Sequence, residues 1–247
     1  MKAMVLAAGL GSRLKPWTLE HPKALVPVQG VPMLERVIDK LRREGFDEIV
    51  VNIHHFGEQI VEFLRNRDFG IPIHISDESD RLLDTGGAIL HALDLLKPWE
   101  SPVLIHNVDI LSDANLHALM EAHESGGADS TLLVSDRESS RHLIFDEEMN
   151  LRGWHHVKDN LYRPSGFIPR PDDREYAFSG IHVVGEGLAD SMKRKQKDEK
   201  FPIMDFLLRD DNGCRIKGVV REGLRLIDIG KPATLSQANM DFLGKYS

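Results

Sequence analysis

The sequence predicts an α/β fold, a mixed and largely parallel sheet covered by helices, and three observations carry that reading. Short β-rich apolar runs alternate with segments of helical spacing through the first half of the chain. The first run, Met4 to Ala8, empties directly into Gly9-Leu10-Gly11, with a cation following at Arg13. After Gly127 the alternation gives way to strands and irregular stretches without any repeat.

In chain order, Ala3 to Ala8, Glu48 to Ile53, Ile71 to Ser76 and Val103 to Val108 read as strands. Between them Met33, Leu34, Val37, Ile38 and Leu41 recur at helical spacing, as do Ile60, Val61 and Leu64, then Ala88, Ile89, Ala92, Leu93 and Leu96. Pro32 and Gly45 bracket the first helix, proline suiting a first turn and glycine an end. Later strands are expected at Thr131 to Val134, His142 to Phe145, Ala177 to Val184, Arg215 to Val220 and Leu224 to Ile229. Met204, Leu207 and Leu208 suggest a short helix, and Pro232 to Leu243 a closing one. Lys158 to Glu175 reads as a long irregular segment, which is usually functional or disordered.

A chain of 247 residues with 41% hydrophobic and 28% charged residues can bury a substantial core. Lys plus Arg total 31 against 39 Asp plus Glu, a net charge of −8, so the surface does not advertise non-specific nucleic-acid binding. The single cysteine, Cys214, excludes an intramolecular disulfide and suits a reducing cytoplasm. Met1-Lys2 and the apolar run after it lack the cleavage pattern of a secretion signal. No apolar run reaches the roughly 20 residues needed to span a bilayer. The expected partners are therefore small molecules, with neither nucleic acid nor membrane, on a monomer or homodimer.

The loop after the first strand has the small residues that let backbone N–H groups turn inward around phosphate. A P-loop would need Gly, four residues and Gly-Lys-Ser/Thr, which the chain lacks. The dinucleotide fingerprint would need a third glycine where Leu14 stands and an acid where Asn52-Ile53-His54 stand. What the loop has instead is Arg13, then Pro16, Thr18, Pro22 and Lys23. A guanidinium fork and a compact ammonium could converge there on one polyphosphate. Asp109 and Asp228 each follow an apolar strand, where a carboxylate can reach a ligand crevice.

Gly9, Gly11, Arg13, Pro16, Thr18, Pro22 and Lys23 together resemble the signature of the sugar-1-phosphate nucleotidyltransferases. Agreement continues in Asp84-Thr85-Gly86-Gly87, Asn107-Val108-Asp109, Phe178-Ser179-Gly180-Ile181 and Ile227-Asp228-Ile229-Gly230. The short bacterial members, N-acetylmuramate-1-phosphate uridylyltransferases and mannose- or heptose-1-phosphate guanylyltransferases, are the most similar subgroup. The resemblance implies a Rossmann-like, GT-A-like nucleotide-diphospho-sugar transferase domain over residues 1–247, without a C-terminal β-helix. Residues 1–127 would bind the NTP and residues 128–247 the sugar phosphate.

The implied reaction is attack of a sugar 1-phosphate oxygen on the α-phosphorus of an NTP, with loss of pyrophosphate. Arg13 would hold the leaving phosphates, and Lys23 would sit by the α-phosphate. Leu6, Ala7, Ala8, Gly9, Gly11, Ser12, Asp84, Thr85, Gly86, Gly87 and Asn107 would face the nucleotide, and Ser179 and Gly180 the sugar. Asp109 and Asp228 would hold Mg²⁺, an oxygen-ligated cation. Plain N-capping at Asp84 to Gly87 and a β-bulge at Ser179-Gly180 stay open.

Two departures stand out: Val108 where the family commonly has glycine, and Trp17 where it has a smaller aliphatic residue. UTP or GTP with N-acetylmuramate, mannose or heptose 1-phosphate are the expected substrates. A CTP-dependent transferase for phosphocholine or another small phosphate is one alternative. A non-catalytic nucleotide-sugar-sensing or scaffold subunit is another, with Val108 as its support. Arg163, Arg170 and Arg174 could serve an acidic sugar or merely solvate a loop. The pairs His54-His55 and His155-His156 read as structural, and Lys193 to Lys197 as a solvated helix end.

Overall fold

β1 (Lys2–Leu6) buries its three central residues completely and occupies the middle of the main sheet. The computed structural model describes residues 1–96 and 102–241. After β1 come three single 3-10 turns, Ser12–Leu14, Trp17–Leu19 and Lys23–Leu25, then a small ribbon of β2 (Pro27–Val28) and β3 (Val31–Pro32). Regular alternation follows: α1 (Met33–Arg43), β4 (Glu48–Ile53), α2 (Gly57–Arg65), β5 (Ile73–Asp77), α3 (Asp84–Leu93) and β6 (Val103–Asn107). β4 and β6 flank β1 and both run parallel to it, with β5 parallel outside β4.

The rest of the chain is β7 (Ile110–Ser112), α4 (Leu116–Gly126), β8 (Ser130–Ser135), β9 (Arg141–Phe145), β10 (Leu151–His156) and β11 (Leu161–Arg163), then β12 (Arg174–Val184). It ends with α5 (Glu186–Lys195), α6 (Ile203–Leu207), β13 (Ile216–Val220), β14 (Leu226–Asp228) and α7 (Pro232–Asp241). β12 joins the main sheet antiparallel to β6, and β8, β9 and β10 extend it with antiparallel pairings. The predicted mixed sheet flanked by helices is what the chain forms.

Side chains of β1 alternate between two cores, as a strand buried on both faces requires. Ala3 and Val5 join a cluster with Leu34, Ile38 and Leu41 of α1 and Ile60 of α2. Met4 joins Ala88, Ile89 and Leu93 of α3 and Met192 of α5 on the other face. The parallel registers Leu6↔Asn52 and Leu6↔Asn107 align the carboxyl ends of three strands on one edge, where ligands of open α/β sheets bind.

Several element boundaries differ from the sequence reading. The first strand stops at Leu6 because the Ala7 N–H donates instead to the Asn52 side chain, 2.6 Å away. The strand expected to end at Val108 ends at Asn107, and that expected at Ile71 to Ser76 lies at Ile73–Asp77. α4 is not announced by long apolar periodicity, yet its ends carry signals: Asn115 Oδ1 accepts from Ala118 N at 2.8 Å, and Gly127 adopts the left-handed conformation. The segment 158–175 is less irregular than expected, since it holds β11 and the start of β12. Of the closing helix, residues 242–243 lie outside the described residues.

Candidate active site

The loop after β1 folds back on its own sequence. Gly11 sits at φ 61°, where a Cβ would lie 2.8 Å from Thr18 Cγ2 and 2.9 Å from Lys23 Cβ. Only glycine fits such an approach in that conformation. The Gly11 carbonyl accepts from Leu14 N at 2.8 Å and from Thr18 Oγ1 at 2.9 Å. Thr18 thus ties the loop down, and the spacing from Gly11 to Lys23 brings the lysine side chain beside the glycine.

Four charged groups meet around Gly230. A Cβ there would lie 2.8 Å from Arg13 Nη2, 2.8 Å from Asp228 Oδ1 and 3.4 Å from Asp109 Oδ2, so the ends of these three side chains crowd the glycine's backbone. Lys23 completes the group by an ion pair with Asp109, both side chains being largely buried. β7 and β14 explain how two aspartates so distant in sequence meet: they pair antiparallel with Asp228 opposite Ile110, and Ile229 N donates to the Asp109 carbonyl at 3.0 Å. Gly230 N donates to Asp228 Oδ1 at 2.7 Å. Among the described residues no cluster of three or more His, Cys, Asp or Glu is placed to hold a metal. Two carboxylates around a bare glycine do fit a hard cation that takes its other oxygens from phosphate and water.

Two clefts open at this edge and share Leu6, Thr85 and Asn107 as a common wall. The first, about 260 Å³, is lined by Ala8, Gly9, Lys23, Asn52, Glu78, Leu82, Asp84, Val108 and Asp109 besides those three. The second, about 370 Å³, has Arg137, Arg141, His142, Trp154, Phe178, Ser179, Gly180 and Asp228 among its lining residues. Of the predicted nucleotide residues, Leu6, Ala8, Gly9, Asp84, Thr85 and Asn107 line the first cleft. Ala7 is buried with its N–H held by Asn52, and Ser12 starts the 3-10 turn that carries Arg13.

The backbone N–H groups of Gly86 and Gly87, in the first turn of α3, are not open to a ligand. Both donate to the Phe201 carbonyl, at 2.9 and 3.4 Å, because the segment entering α6 packs on that helix end. Thr85 Oγ1 accepts from Ile203 N at 2.9 Å, and Thr85 N donates to Asp84 Oδ1 at 2.7 Å. At β12 a bulge does interrupt the strand, with its register shifting between Phe178 and His182. Gly180, at φ 78°, admits the Asn107 side chain, and Ser179 Oγ accepts from Ile181 N at 3.1 Å within the bulge.

Glu78, Asn52, Arg137 and Trp154 join the site without having been marked by the sequence. Glu78 is a buried carboxylate at the first cleft that accepts from Asn52 Nδ2 at 2.7 Å and Leu83 N at 3.0 Å. Asn52 at the strand end where the dinucleotide fold has its acid was the available signal. Arg137 is half-buried, and desolvation lowers its pKa against the opposing pull of Asp228. Burial holds His106 and His182, on the adjacent strands β6 and β12, down at about 4, so both are neutral near pH 7.

A family model described as Nucleotidyl transferase matches residues 2–145. The chain belongs to that family. N-acetylmuramate alpha-1-phosphate uridylyltransferase of Neisseria meningitidis is 39% identical over 249 residues, covering 96% of each chain. The protein of that name from Caulobacter vibrioides is 32% identical, covering 93% of this chain and 92% of its own. Mannose-1-phosphate guanylyltransferase 1 of Arabidopsis thaliana is 33% identical over 82% of this chain but only 55% of its own length. HddC from Yersinia pseudotuberculosis, solved with GMP-PN, shares the fold at a TM-score of 0.76 and 20% identity, over 98% of this chain and 99% of that one. The chain is an enzyme of the sugar-1-phosphate nucleotidyltransferase type.

The nucleotidyltransferase's two departures find different explanations. Val108 packs in the apolar cluster that holds Ala7, Leu14 and Ile110 and also lines the first cleft, so its bulk is shared between the core and the cleft wall. Trp17 is partly exposed with its ring 4.5 Å from that of His21. His54 Nδ1 lies 2.7 Å from the Glu78 carbonyl, His155 Nδ1 3.0 Å from Glu175, and His156 Nδ1 2.9 Å from Asp159. Arg163 pairs with Asp205 at 3.0 Å, and neither it nor Arg170 or Arg174 lines the two clefts described. Among the described residues, no helix is long and apolar enough to cross a membrane.

Proposed function

We propose that the chain transfers a nucleotidyl group from UTP or GTP to a sugar 1-phosphate, releasing pyrophosphate, with N-acetylmuramate, mannose or heptose 1-phosphate as the sugar substrates. The observation that carries this reading is the meeting of Arg13, Lys23, Asp109 and Asp228 around Gly230, beside two clefts with one common wall. The NTP occupies the first cleft, formed mainly by residues 1–127. The sugar phosphate occupies the second, to which residues 128–247 contribute most.

The nucleophile is an ionised phosphate oxygen, so no general base is needed, and the protein's work is placement and charge neutralisation. Arg13 holds the β- and γ-phosphates as pyrophosphate leaves. Lys23 lies against the α-phosphate, its stem fixed by the close approach of Gly11. Asp109 and Asp228 hold Mg²⁺, which when bound supplies additional neutralisation of phosphate charge. The cytoplasm, where NTPs are made, is the compartment this chemistry needs.

The non-catalytic reading has Val108 as its support, and that side chain lines the first cleft, so turnover decides between the two readings. The test is magnesium-dependent pyrophosphate release with UTP, GTP, CTP and dTTP crossed with the three sugar 1-phosphates and phosphocholine. Turnover with UTP or GTP and a sugar phosphate is expected. Release with CTP and phosphocholine alone would replace the proposal.

A further inference from the structure

His182 lines the second cleft from a position where the sheet asks for an apolar side chain. Its cross-strand neighbours, Ile105 on β6 and Leu132 on β8, both belong to the apolar cluster on the α3 and α5 face of the sheet. The bulge in β12 sets the ring there. Phe178 pairs with Val134 and His182 with Leu132, so four residues of β12 advance against two of β8 and the two rings come together, 5.8 Å apart. The histidine is 2% exposed, and neither Nδ1 nor Nε2 has a hydrogen-bond partner among the described residues. A buried polar group left in that condition costs stability, and such costs persist where function uses them. His106, on the adjacent strand, shows the contrast: its Nδ1 lies 2.8 Å from the Asn107 carbonyl, and it lines neither cleft.

We infer that His182 is a specificity-determining residue of the second cleft, where it reads one free hydroxyl of the sugar, and that the enzyme discriminates against sugar 1-phosphates lacking that hydroxyl. The inference rests on the nucleotidyltransferase reading above. Burial keeps the ring neutral near pH 7, with one N–H donor and one bare nitrogen. A hydroxyl complements such a ring, because it donates to the bare nitrogen or accepts from the N–H. A phosphate or carboxylate does not, since a neutral ring gives an anion no charge to offset its desolvation on an apolar face. The hydroxyls that N-acetylmuramate, mannose and heptose 1-phosphates have in common are those at C4 and C6, so one of these two is the group read. A sugar that carries it satisfies a ring otherwise left unpaired, while a deoxy sugar puts a C–H there. Selectivity of about tenfold to a hundredfold follows from that one hydrogen bond.

The test takes whichever of N-acetylmuramate, mannose and heptose 1-phosphates gives pyrophosphate release and compares it with its 4-deoxy and 6-deoxy analogues at saturating UTP or GTP. One analogue is expected to lose about tenfold to a hundredfold in kcat/KM. His182→Leu replaces an unpaired polar ring by an apolar side chain, a change the fold should tolerate. It should bring that ratio close to one by slowing the parent sugar and not the analogue, and should leave the other analogue's ratio where it was. His182→Gln, which keeps a donor and an acceptor, should retain part of the ratio. Equal rates for the parent and both analogues in the unaltered enzyme overturn the inference while leaving the nucleotidyltransferase intact. So does an equal loss for all three sugars in both variants, which is what a purely structural histidine would give. No pyrophosphate release with any of the three parent sugars overturns the underlying reading, and the inference with it.

Discussion

The two clefts on either side of Asn107 are built by different means. The first is made where parallel strands end: small residues of the β1 loop, the tips of β4 and β6, and the start of α3. Its groups are close in sequence or fixed by parallel register. The second is walled by side chains of the β9–β10 hairpin and of β12, a strand from further along the chain that joins the hairpin by antiparallel pairing with β9. A strand-end site needs glycine and short loops, which leave a spacing pattern; a sheet-face site needs side chains of the right charge at alternating positions, which leave none.

The largest effect is expected where the clefts meet. Asp109→Asn and Asp228→Asn should each lower magnesium-dependent pyrophosphate release on the order of 10³-fold or more, because neutralisation at the phosphates acts mainly in the transition state. Circular dichroism should show the fold kept. Near-normal turnover in both variants would mean that the shared wall is not the reaction centre. Next comes Lys23→Ala, expected to cost roughly 10²-fold in kcat at saturating NTP. If only KM for the NTP rises, Lys23 belongs to ground-state binding in the first cleft alone.

This difference in construction accounts for what the sequence discloses. Gly11, Arg13, Thr18 and Lys23 are legible because the loop that Gly11 makes is closed by Thr18 and Lys23 themselves. The pairing of Asp109 with Asp228 is legible only through family resemblance, since it depends on β7 and β14 finding each other across more than a hundred residues. Gly86 and Gly87 mislead because the Phe201 carbonyl that takes their N–H groups arrives from a distant segment. Arg137 and Arg141 look like ordinary loop cations until β9 and β12 place them on one wall. Of the arginines that draw attention, Arg163 lies over the Trp154 ring, 5.2 Å from its centre, at the edge of the second cleft, while Arg170 and Arg174 line neither cleft.

A smaller effect concerns the strands between the clefts. His106 and His182 are held neutral at about 4 in the folded protein, against an ordinary value near 6.5. The unfolded chain therefore takes up their protons first as pH falls. Their contribution is fully present above about pH 6.5 and is lost progressively down to about pH 4, at about 3 kcal/mol for each. Tm should drop over that window, and His182→Leu should flatten the slope. A Tm independent of pH between 6.5 and 4 would show that these rings are not buried as described.

The smallest effect isolates the first cleft from the second. Asn52 spends both ends of its amide inside the protein: Oδ1 accepts from Ala7 N at 2.6 Å and Nδ2 donates to Glu78 at 2.7 Å. Asn52→Ala strands a buried backbone N–H and half-releases a buried carboxylate, costing about 1–3 kcal/mol in denaturant unfolding. Because Ala7 leads into the phosphate loop and Glu78 lines the same cleft, the variant should also raise KM for the NTP. The second cleft, proposed for the sugar phosphate, does not include Asn52 or Glu78, so KM for the sugar phosphate should stay put. If both KM values rise together, Leu6, Thr85 and Asn107 transmit the change across the common wall, and the two clefts act as one site.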